Sequence, residues 1–426
     1  MQLRQFWHPR VWLAPVLMIV ILSLALPFCY LAGITDPQSN LDRLPVALVV
    51  GEQDPGGLPG AAETVAAAVR SRTDQQKIGL VPLSSADMDR AFHDNTIYAA
   101  VVIPPGFERG LSDLVDPQAG AVSARPDVTI RTNAGDGNLA AGLATANILP
   151  VLTAAQREVG ARLLAAAGPG ATPQLALLLQ EPFAVHTVPD HPLPAKAGSG
   201  LTPFYLALVT ILIGFIGAST VHPTVDAAIG FVPSEFGPLT SRRPYRWASR
   251  TTTLLAKFTV LLLVAPTAAA LLQWVATVVI GIPVQDPVAL WLLFAAAIAA
   301  VGLGALSVFA VFGSPGALLN TFFFVALSLA TGPSVPVEAL PAWLRAVTSV
   351  TPMQPVFDGV RAILFFDGRG AAGLDHAWIR IAIGAATGVA LGLLTMLFYD
   401  RHPRLSRHPT PHRSDGVPGQ LTTVTP

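Results

Sequence analysis

The sequence predicts an α-helical membrane protein with six transmembrane helices and a large extracytoplasmic α/β domain inserted after the first span. Of its 426 residues, 52% are hydrophobic and only 12% are charged, whereas soluble domains contain about 25% charged residues. The mean hydropathy is +0.55. The apolar residues are gathered into long runs, which are interrupted by one stretch of ordinary soluble composition, residues 33–199.

The transmembrane prediction comes from run length. Residues 11–31 are uncharged and can cross about 30 Å of hydrocarbon at about 1.5 Å per residue. Further candidate spans are residues 201–221, 254–280, 288–312, 316–331 and 379–399. The third span holds Lys257 near its start, where we expect its stem to reach the interface. The span centres contain no Asp, Glu or His, which argues against coupling to an ion gradient by this chain alone.

Residues 11–32 are interpreted as an anchoring helix, with a cleaved signal peptide as the alternative. Arg4 and Arg10 precede the apolar run, but the run is long and no A-x-A cleavage site follows it. Cys29 follows Leu-Pro-Phe rather than the small residues of a lipoprotein signal. Because Cys29 is the only cysteine, neither an intramolecular disulfide nor a cysteine-based metal site is expected.

The distribution of arginine predicts the orientation. Arginines cluster in residues 1–10, in the loop 222–251 and in the tail 401–426, whereas the connection 281–287 has no Lys or Arg. The positive-inside rule places the first three segments, and both termini, in the cytoplasm. Residues 33–199 then lie outside the plasma membrane, and residues 200–400 form a five-helix transmembrane domain. The excess of Arg over Lys is typical of a GC-rich, bacterial genome.

The inserted domain alternates strand and helix patterns. Strands are predicted at residues 45–51, 78–83, 99–103 and 128–131, with helices at 61–70, 86–93 and 107–115. This alternation predicts a parallel sheet with crossover helices. Residues 138–167 predict a long helix kinked at Pro150 that packs on its own sheet; a dimerisation arm is the alternative.

No motif for catalysis or for nucleotide, metal or cofactor binding is present. The sequence lacks a P-loop, G-x-S-x-G and H-E-x-x-H, so no enzyme activity is predicted. Lys+Arg and Asp+Glu are 26 each, which argues against a nucleic-acid partner. His402, His408 and His412 could form a weak metal site, but a disordered Pro/His/Arg tail is the preferred interpretation.

The connection before the last span, residues 332–378, carries a further pattern. An apolar stripe at helical spacing runs through Leu340, Trp343, Leu344, Val347 and Val350, with Pro341 in the first turn. A second helix is predicted at residues 356–366, where Asp358 and Arg361 can pair. We expect two amphipathic helices within residues 336–366 that lie at the outer leaflet, with a packed extracellular cap as the alternative.

These patterns resemble the membrane subunits of ABC-2 type exporters. In that family a Pro-x-x-x-Leu-Pro-x-Trp-Leu stretch, followed by Pro, Asp and Arg, commonly precedes the last span. The corresponding residues here are Pro336, Leu340, Pro341, Trp343 and Leu344, then Pro352, Pro355, Asp358 and Arg361. The inserted domain resembles the Pip/YhgE-like branch at residues 44–54 and 98–107.

The resemblance implies partners and a coupling site. Such permeases have two membrane halves, commonly as a homodimer, and are joined to cytoplasmic ABC ATPases. Contact with the ATPase would come through the loop after the second span, at Glu235, Arg242, Arg243, Tyr245 and Arg246. The alternative is that these arginines only fix the topology and touch anionic lipid.

The preferred functional hypothesis is an ATP-driven exporter permease that moves a hydrophobic or amphipathic substrate through the bilayer. Some Pip/YhgE-like proteins have no known ATPase, so the alternative is a non-transporting envelope protein, a receptor or a secretion or assembly scaffold acting through its outer domain. A third hypothesis, half of a resistance-nodulation pump, lacks the second half and the mid-membrane carboxylates.

Overall fold

The computed structural model describes residues 9–52, 59–115, 125–168, 172–190, 192–236, 239–241, 243–244, 246–332, 335–402 and 405. Arg242, Tyr245 and nearly all of the predicted cytoplasmic tail lie outside the described residues, as does most of the segment 1–10. The first described helix, α1 (Pro9–Ile34), leads into an α/β domain, as the apolar run at residues 11–31 predicts.

The α/β domain is built on a five-stranded sheet with the strand order β2-β1-β3-β4-β5. Its strands are β1 (Leu44–Val50), β2 (Ile78–Pro82), β3 (Ala99–Ile103), β4 (Asp127–Thr132) and β5 (Ala184–Pro189). Most side chains of β1 and β3 are buried, because both faces of these strands are covered. Their continuous apolar runs reflect this burial.

The prediction of a parallel sheet is wrong in one place. β1 runs parallel to β2 and β3, and β4 runs parallel to β5, but β3 and β4 are antiparallel. The sheet is therefore mixed. Alternation of strands and helices indicates which elements exist, but a connection that contains a helix can return the chain in either direction, and the sequence pattern does not distinguish the two.

Helices cover both faces of this sheet. They are α2 (Ala61–Arg72), α3 (Ser85–His93), α4 (Phe107–Val115), α5 (Asn138–Ala167) and α6 (Pro173–Leu178). The buried face of α5, with Leu143, Ile148 and Leu152, belongs to the same core as the strands. The long helix thus packs on its own sheet as predicted, whereas its other face leaves Leu149 and Leu164 exposed.

Four long helices form a bundle after the α/β domain. They are α7 (Thr202–Ala228), α8 (Arg250–Val279), α9 (Pro287–Phe312) and α13 (Asp375–Arg401). Each is long and apolar enough to cross a membrane, and α5 meets the same two criteria. Helix α9 lies at the centre of the bundle. In its most apolar stretch of 18 residues 61% of the residues are buried, whereas in the corresponding stretch of the last helix 17% are buried. Outward side chains such as Leu263 and Leu394 are apolar and exposed, as a lipid-facing surface requires.

Glycines allow the bundle helices to approach each other closely. A Cβ on Gly388 of α13 would lie 2.9 Å from the Cα of Gly304 in α9. A Cβ on Gly214 of α7 would lie 2.8 Å from the carbonyl oxygen of Ile298. Because hydrocarbon offers no hydrophobic driving force between helices, such close packing is a main source of association.

The fifth predicted span is shorter than expected. Helix α10 (Gly316–Ala330) has fewer than 18 residues and is interrupted by a π-helical segment, so at about 1.5 Å per residue it falls short of about 30 Å. It packs beside α1, where Gly33 faces the carbonyl of Ala330. The ring of Phe28 in α1 also stacks on the ring of Trp343, with 5.5 Å between the ring centroids. The six-span topology therefore stays a prediction.

Two expectations for the loops need correction. The loop predicted at residues 222–251 is shorter, because α7 remains helical to Ala228 and α8 begins at Arg250. The segment 336–366 forms two helices, α11 (Ala342–Thr348) and α12 (Met353–Phe365), but α12 is largely buried. Helix α12 packs against α7, α9 and α13, so it does not lie on a lipid surface and the packed-cap alternative describes it better.

Candidate functional site

The loop between α7 and α8 lies at the end of the bundle opposite the α/β domain. The two ends of the loop are held together, because the backbone N–H of Arg246 donates to the carbonyl of Ile229 at 2.9 Å. Gly230 has a φ of 76°, and a Cβ there would meet the carbonyls of Arg243 and Pro244. The loop therefore leaves α7 through a tight turn that requires glycine.

A short hairpin extends from this loop. Strands β6 (Ser234–Phe236) and β7 (Leu239–Ser241) are antiparallel, with Glu235 opposite Thr240. After the hairpin, Arg243 and Arg246 are exposed, as is the ring of Trp247. Of the five residues predicted to contact an ATPase, Arg243 and Arg246 are exposed and Glu235 is part of strand β6.

The end of α13 is tied to the start of α8 beside this loop. Asp400 accepts hydrogen bonds from the backbone N–H groups of Arg250 and Thr251, at 3.0 and 2.9 Å. A carboxylate at a helix N-terminus satisfies unpaired donors and complements the helix dipole. Ser249 caps the same helix by accepting from the N–H of Thr252. The helix ends that flank the loop are thus fixed by polar contacts.

Charged side chains are buried within the bundle just below the loop. The ammonium of Lys257 lies 2.9 Å from the Oδ2 of Asp226, and both side chains are only 5–6% exposed. The Nδ1 of His222 lies 3.1 Å from the same ammonium. The expectation that Lys257 reaches the interface is wrong, because it has a buried carboxylate partner. The sequence prediction missed Asp226 since it ended the span at residue 221.

A second polar cluster joins α12 to the α/β domain. The guanidinium of Arg361 pairs with Asp136, which lies in the turn between β4 and α5, and with Asp358 at 3.2 Å. The predicted pair of Asp358 and Arg361 is therefore confirmed. Asn133 and Asn95 complete the cluster: Asn95 donates to Asp136 at 3.2 Å, and Asn133 donates to Asn95 at 2.7 Å.

Burial determines the ionisation of this cluster. Desolvation raises the pKa of Asp136 to about 6, although the nearby Arg361 charge and the hydrogen bond from Asn95 oppose the rise. Burial also raises the pKa of Asp358, again against the Arg361 charge. A single guanidinium therefore faces two carboxyl groups that both resist ionisation, and proton uptake at this cluster is possible in weakly acidic solution.

The segment before α11 makes further contacts with the α/β domain. The phenol of Tyr98 donates to Glu338 at 2.8 Å, and burial raises the pKa of Tyr98, which keeps the donor neutral. Arg345 pairs with Asp42 and also donates to the carbonyl of Leu340 at 3.2 Å. Residues distant in the sequence thus hold the α/β domain on the bundle, and only the three-dimensional structure reveals these contacts.

The predicted residues of the α11–α12 segment differ in burial. Pro336, Leu340, Leu344 and Pro355 are buried, whereas Trp343 is 40% exposed. Partly buried positions are held by Pro341, Pro352, Asp358 and Arg361. The structure brings most of these residues into the contact region between the α/β domain and the bundle. It does not bring them near the loop residues Arg243 and Arg246.

Open clefts are present among the described residues, but clustered metal ligands are not. No group of three or more His, Cys, Asp or Glu within the described ranges could hold a metal ion. One cleft, of about 500 Å³, lies between α5 and α6 and includes Arg157 and Leu164. A second, of about 440 Å³, lies between the end of α8 and the start of α9 and includes Gln273, Trp274 and Trp291.

Long apolar helices joined to a small α/β sheet define a multi-pass membrane protein. A family model described as ABC-2 family transporter protein matches residues 10–397. The match spans most of the sequence, including the α/β domain and the bundle, so the chain belongs to the ABC-2 transporter family. No curated protein and no solved structure gave a match. Permeases of this family normally pair with an ABC ATPase.

Proposed function

We propose that the protein is the permease subunit of an ATP-driven ABC-2 exporter that moves a hydrophobic or amphipathic substrate. The observation that carries this proposal is the family match over residues 10–397. The absence of Asp, Glu and His from the centres of the predicted spans supports an external energy source. As an extension of the family's normal pairing, we propose that an ABC ATPase binds the loop that contains Arg243 and Arg246.

The proposal includes a topology. The two termini and the loop 229–249 face the cytoplasm, six helices span the membrane, and the α/β domain lies outside, as in the Pip/YhgE-like branch; two copies form the transport unit. Support comes from the arginine distribution and from the position of the loop at the end of the bundle away from the α/β domain.

Labelling of single cysteines tests this topology. Arg243→Cys and Arg90→Cys are each introduced together with Cys29→Ser. An impermeant maleimide applied to intact cells should label only the Arg90→Cys variant.

Copurification tests the partnership. We expect an ABC ATPase to be recovered with the tagged full chain from native membranes after mild crosslinking. The double variant Arg243→Glu/Arg246→Glu should reduce that recovery by about tenfold, because reversed charges repel a complementary surface. The bundle should remain folded, since both side chains are exposed.

The control is Arg90→Glu, which reverses an arginine that is 74% exposed on the α/β domain. It should leave recovery unchanged. Repeated purification of the wild-type chain without an ATPase would contradict the proposal. It would favour the alternative of a receptor or assembly scaffold, for which removal of the α/β domain, and not loop charge reversal, should abolish function.

A further inference from the structure

The buried charges below the loop are unusual for a bundle of apolar helices. We call His222, Asp226 and Lys257 the loop-base cluster. Lys257 donates to the Oδ2 of Asp226 at 2.9 Å and lies 3.1 Å from the Nδ1 of His222. The His222 ring stacks on Phe309 with 4.8 Å between ring centroids. The cluster therefore connects α7, α8 and α9 at one level of the bundle.

Its position relates it to the loop. Asp226 lies in the last turn of α7 and Lys257 in the second turn of α8, and the intervening chain is the loop 229–249 with its hairpin. Phe309 lies in the last turn of α9. The ion pair therefore closes the base of the loop, and any displacement of the loop reaches the bundle through the two helices that this pair holds together.

Stability alone is a weak reason for such a cluster. Removing two charges from water is costly, and a well-packed apolar pair often stabilises a protein as well as a buried ion pair does. The Oδ1 of Asp226 is buried without a hydrogen-bond partner, which adds to the cost. What a buried pair provides is a fixed relative position, because the two charges tolerate little separation in a low-dielectric interior.

We propose that the loop-base cluster is a rigid joint that transmits movement of the loop 229–249 to α7, α8 and α9 as one unit. Asp226 and Lys257 are the positioning residues, and His222 extends the joint to α9 through Phe309. The source of the movement, an ATPase bound at the loop, rests on the proposed function. The rigidity of the joint does not rest on the proposed function, so separate measurements test the rigidity and the transmission of movement.

Distance measurement by spin labelling tests the rigidity. The full chain carries Cys29→Ser with cysteines at Arg246 in the loop and at Leu263, an exposed position of α8. We expect one narrow distance distribution. Asp226→Asn or Lys257→Met should broaden it about twofold, because the loop then moves independently of the bundle. The charge-swapped variant Asp226→Lys/Lys257→Asp should restore the narrow distribution.

Asp286→Asn serves as the matched control, because Asp286 caps α9 at the opposite end of the bundle. It should leave the distribution narrow. A narrow distribution in a folded Asp226→Asn variant would overturn the joint, even if that variant were less heat-stable. If neither single variant folds, the swapped variant decides: a broad distribution in that folded protein overturns the proposal.

A second measurement uses the complex with the copurified ATPase. Labels at Val278 and Ile379, both exposed at the end of the bundle away from the loop, should change their separation when ATP is added. Asp226→Asn should remove at least about half of that change, and the charge swap should restore it. An undiminished change in Asp226→Asn would overturn transmission. Failure to recover any ATPase contradicts the proposed function, whereas the first measurement still decides the joint.

Discussion

Asp136 is a carboxyl group whose environment differs strongly from that of an exposed one. It lies in the turn between β4 and α5, with a side chain only 3% exposed beside Arg361. Desolvation raises its pKa from 3.8 to about 6. Because the folded pKa lies above the unfolded one, ionisation of Asp136 opposes folding as the pH rises from about 4 to 6, at a cost of about 3 kcal/mol.

The variant Asp136→Asn tests whether ionisation of Asp136 destabilises the folded protein. The variant lacks the ionisable group, so its melting temperature relative to wild type should increase between pH 4 and 7 and level off above. Glu63→Gln is the control, since Glu63 is an exposed carboxylate paired with Arg70, and it should show a much smaller change. A relative melting temperature that falls as the pH rises would show that the ionised Asp136–Arg361 pair stabilises the junction.

Single residues also separate two kinds of buried charge. Arg361 and Lys257 are both covered by protein, but Arg361 faces carboxyl groups of the α/β domain and of its own helix, whereas Lys257 faces α7. The sequence predicted the pair of Asp358 and Arg361 because its spacing is local. It could not predict Asp136 or Asp226 as partners, because their contacts depend on how distant segments pack.

Among the elements, α13 shows how spacing determines helix contacts. Gly384, Gly388 and Gly392 recur every four residues and so share one side of the helix. Gly388 meets Gly304 of α9, and Gly392 meets Ser307, whereas nothing lies within 4 Å of a Cβ on Gly384. This glycine repeat was the sequence signal for the contact between α9 and α13 that the sequence prediction did not use.

Substitution of these glycines should therefore give opposite results. Gly388→Val should force α9 and α13 apart and reduce the yield of folded, detergent-stable protein several-fold, because overpacking costs about 1–3 kcal/mol. Gly384→Val changes the same residue type in the same helix without a neighbour to displace, and should behave like wild type. Size-exclusion chromatography with thermal melting measures both, and equal loss in the two variants would refute the role of this contact.

At the scale of the whole molecule, the α/β domain shares a core with α1 and with the segment before and within α11, whereas α7, α8 and α9 pack in a separate core. Leu340 and Leu344 of the segment before and within α11 belong to the same cluster of buried residues as Leu44 and Val101 of the sheet. Cys29 of α1 joins them. We therefore expect the domain and its neighbouring helices to unfold together rather than as independent units.

Leu344→Ala tests this expectation. The side chain is fully buried, so truncation should destabilise the protein by about 2–5 kcal/mol through lost contacts and a cavity. Hydrogen exchange should increase in both β1 and α11. Leu177→Ala, at a side chain that is 67% exposed, should change neither. Faster exchange confined to α11 would show that the domain is an independent folding unit.

The sequence by itself determined the elements whose signal is local. Long apolar runs predicted α7, α8, α9 and α13, and continuous apolar stretches predicted the buried strands β1 and β3. These signals depend on length and periodicity, which act within one segment. The match to the ABC-2 family agrees with the resemblance that the motifs before the last span indicated.

Tertiary structure alone decided the relations between segments. It set β3 and β4 antiparallel, buried α12 where an amphipathic helix at a lipid surface was expected, and gave Lys257 a carboxylate partner. An apolar face looks the same in the sequence whether lipid or protein covers it. A charge likewise does not reveal its partner. Strand direction, burial and ion pairing depend on which distant segments meet, and that is fixed only when the chain packs.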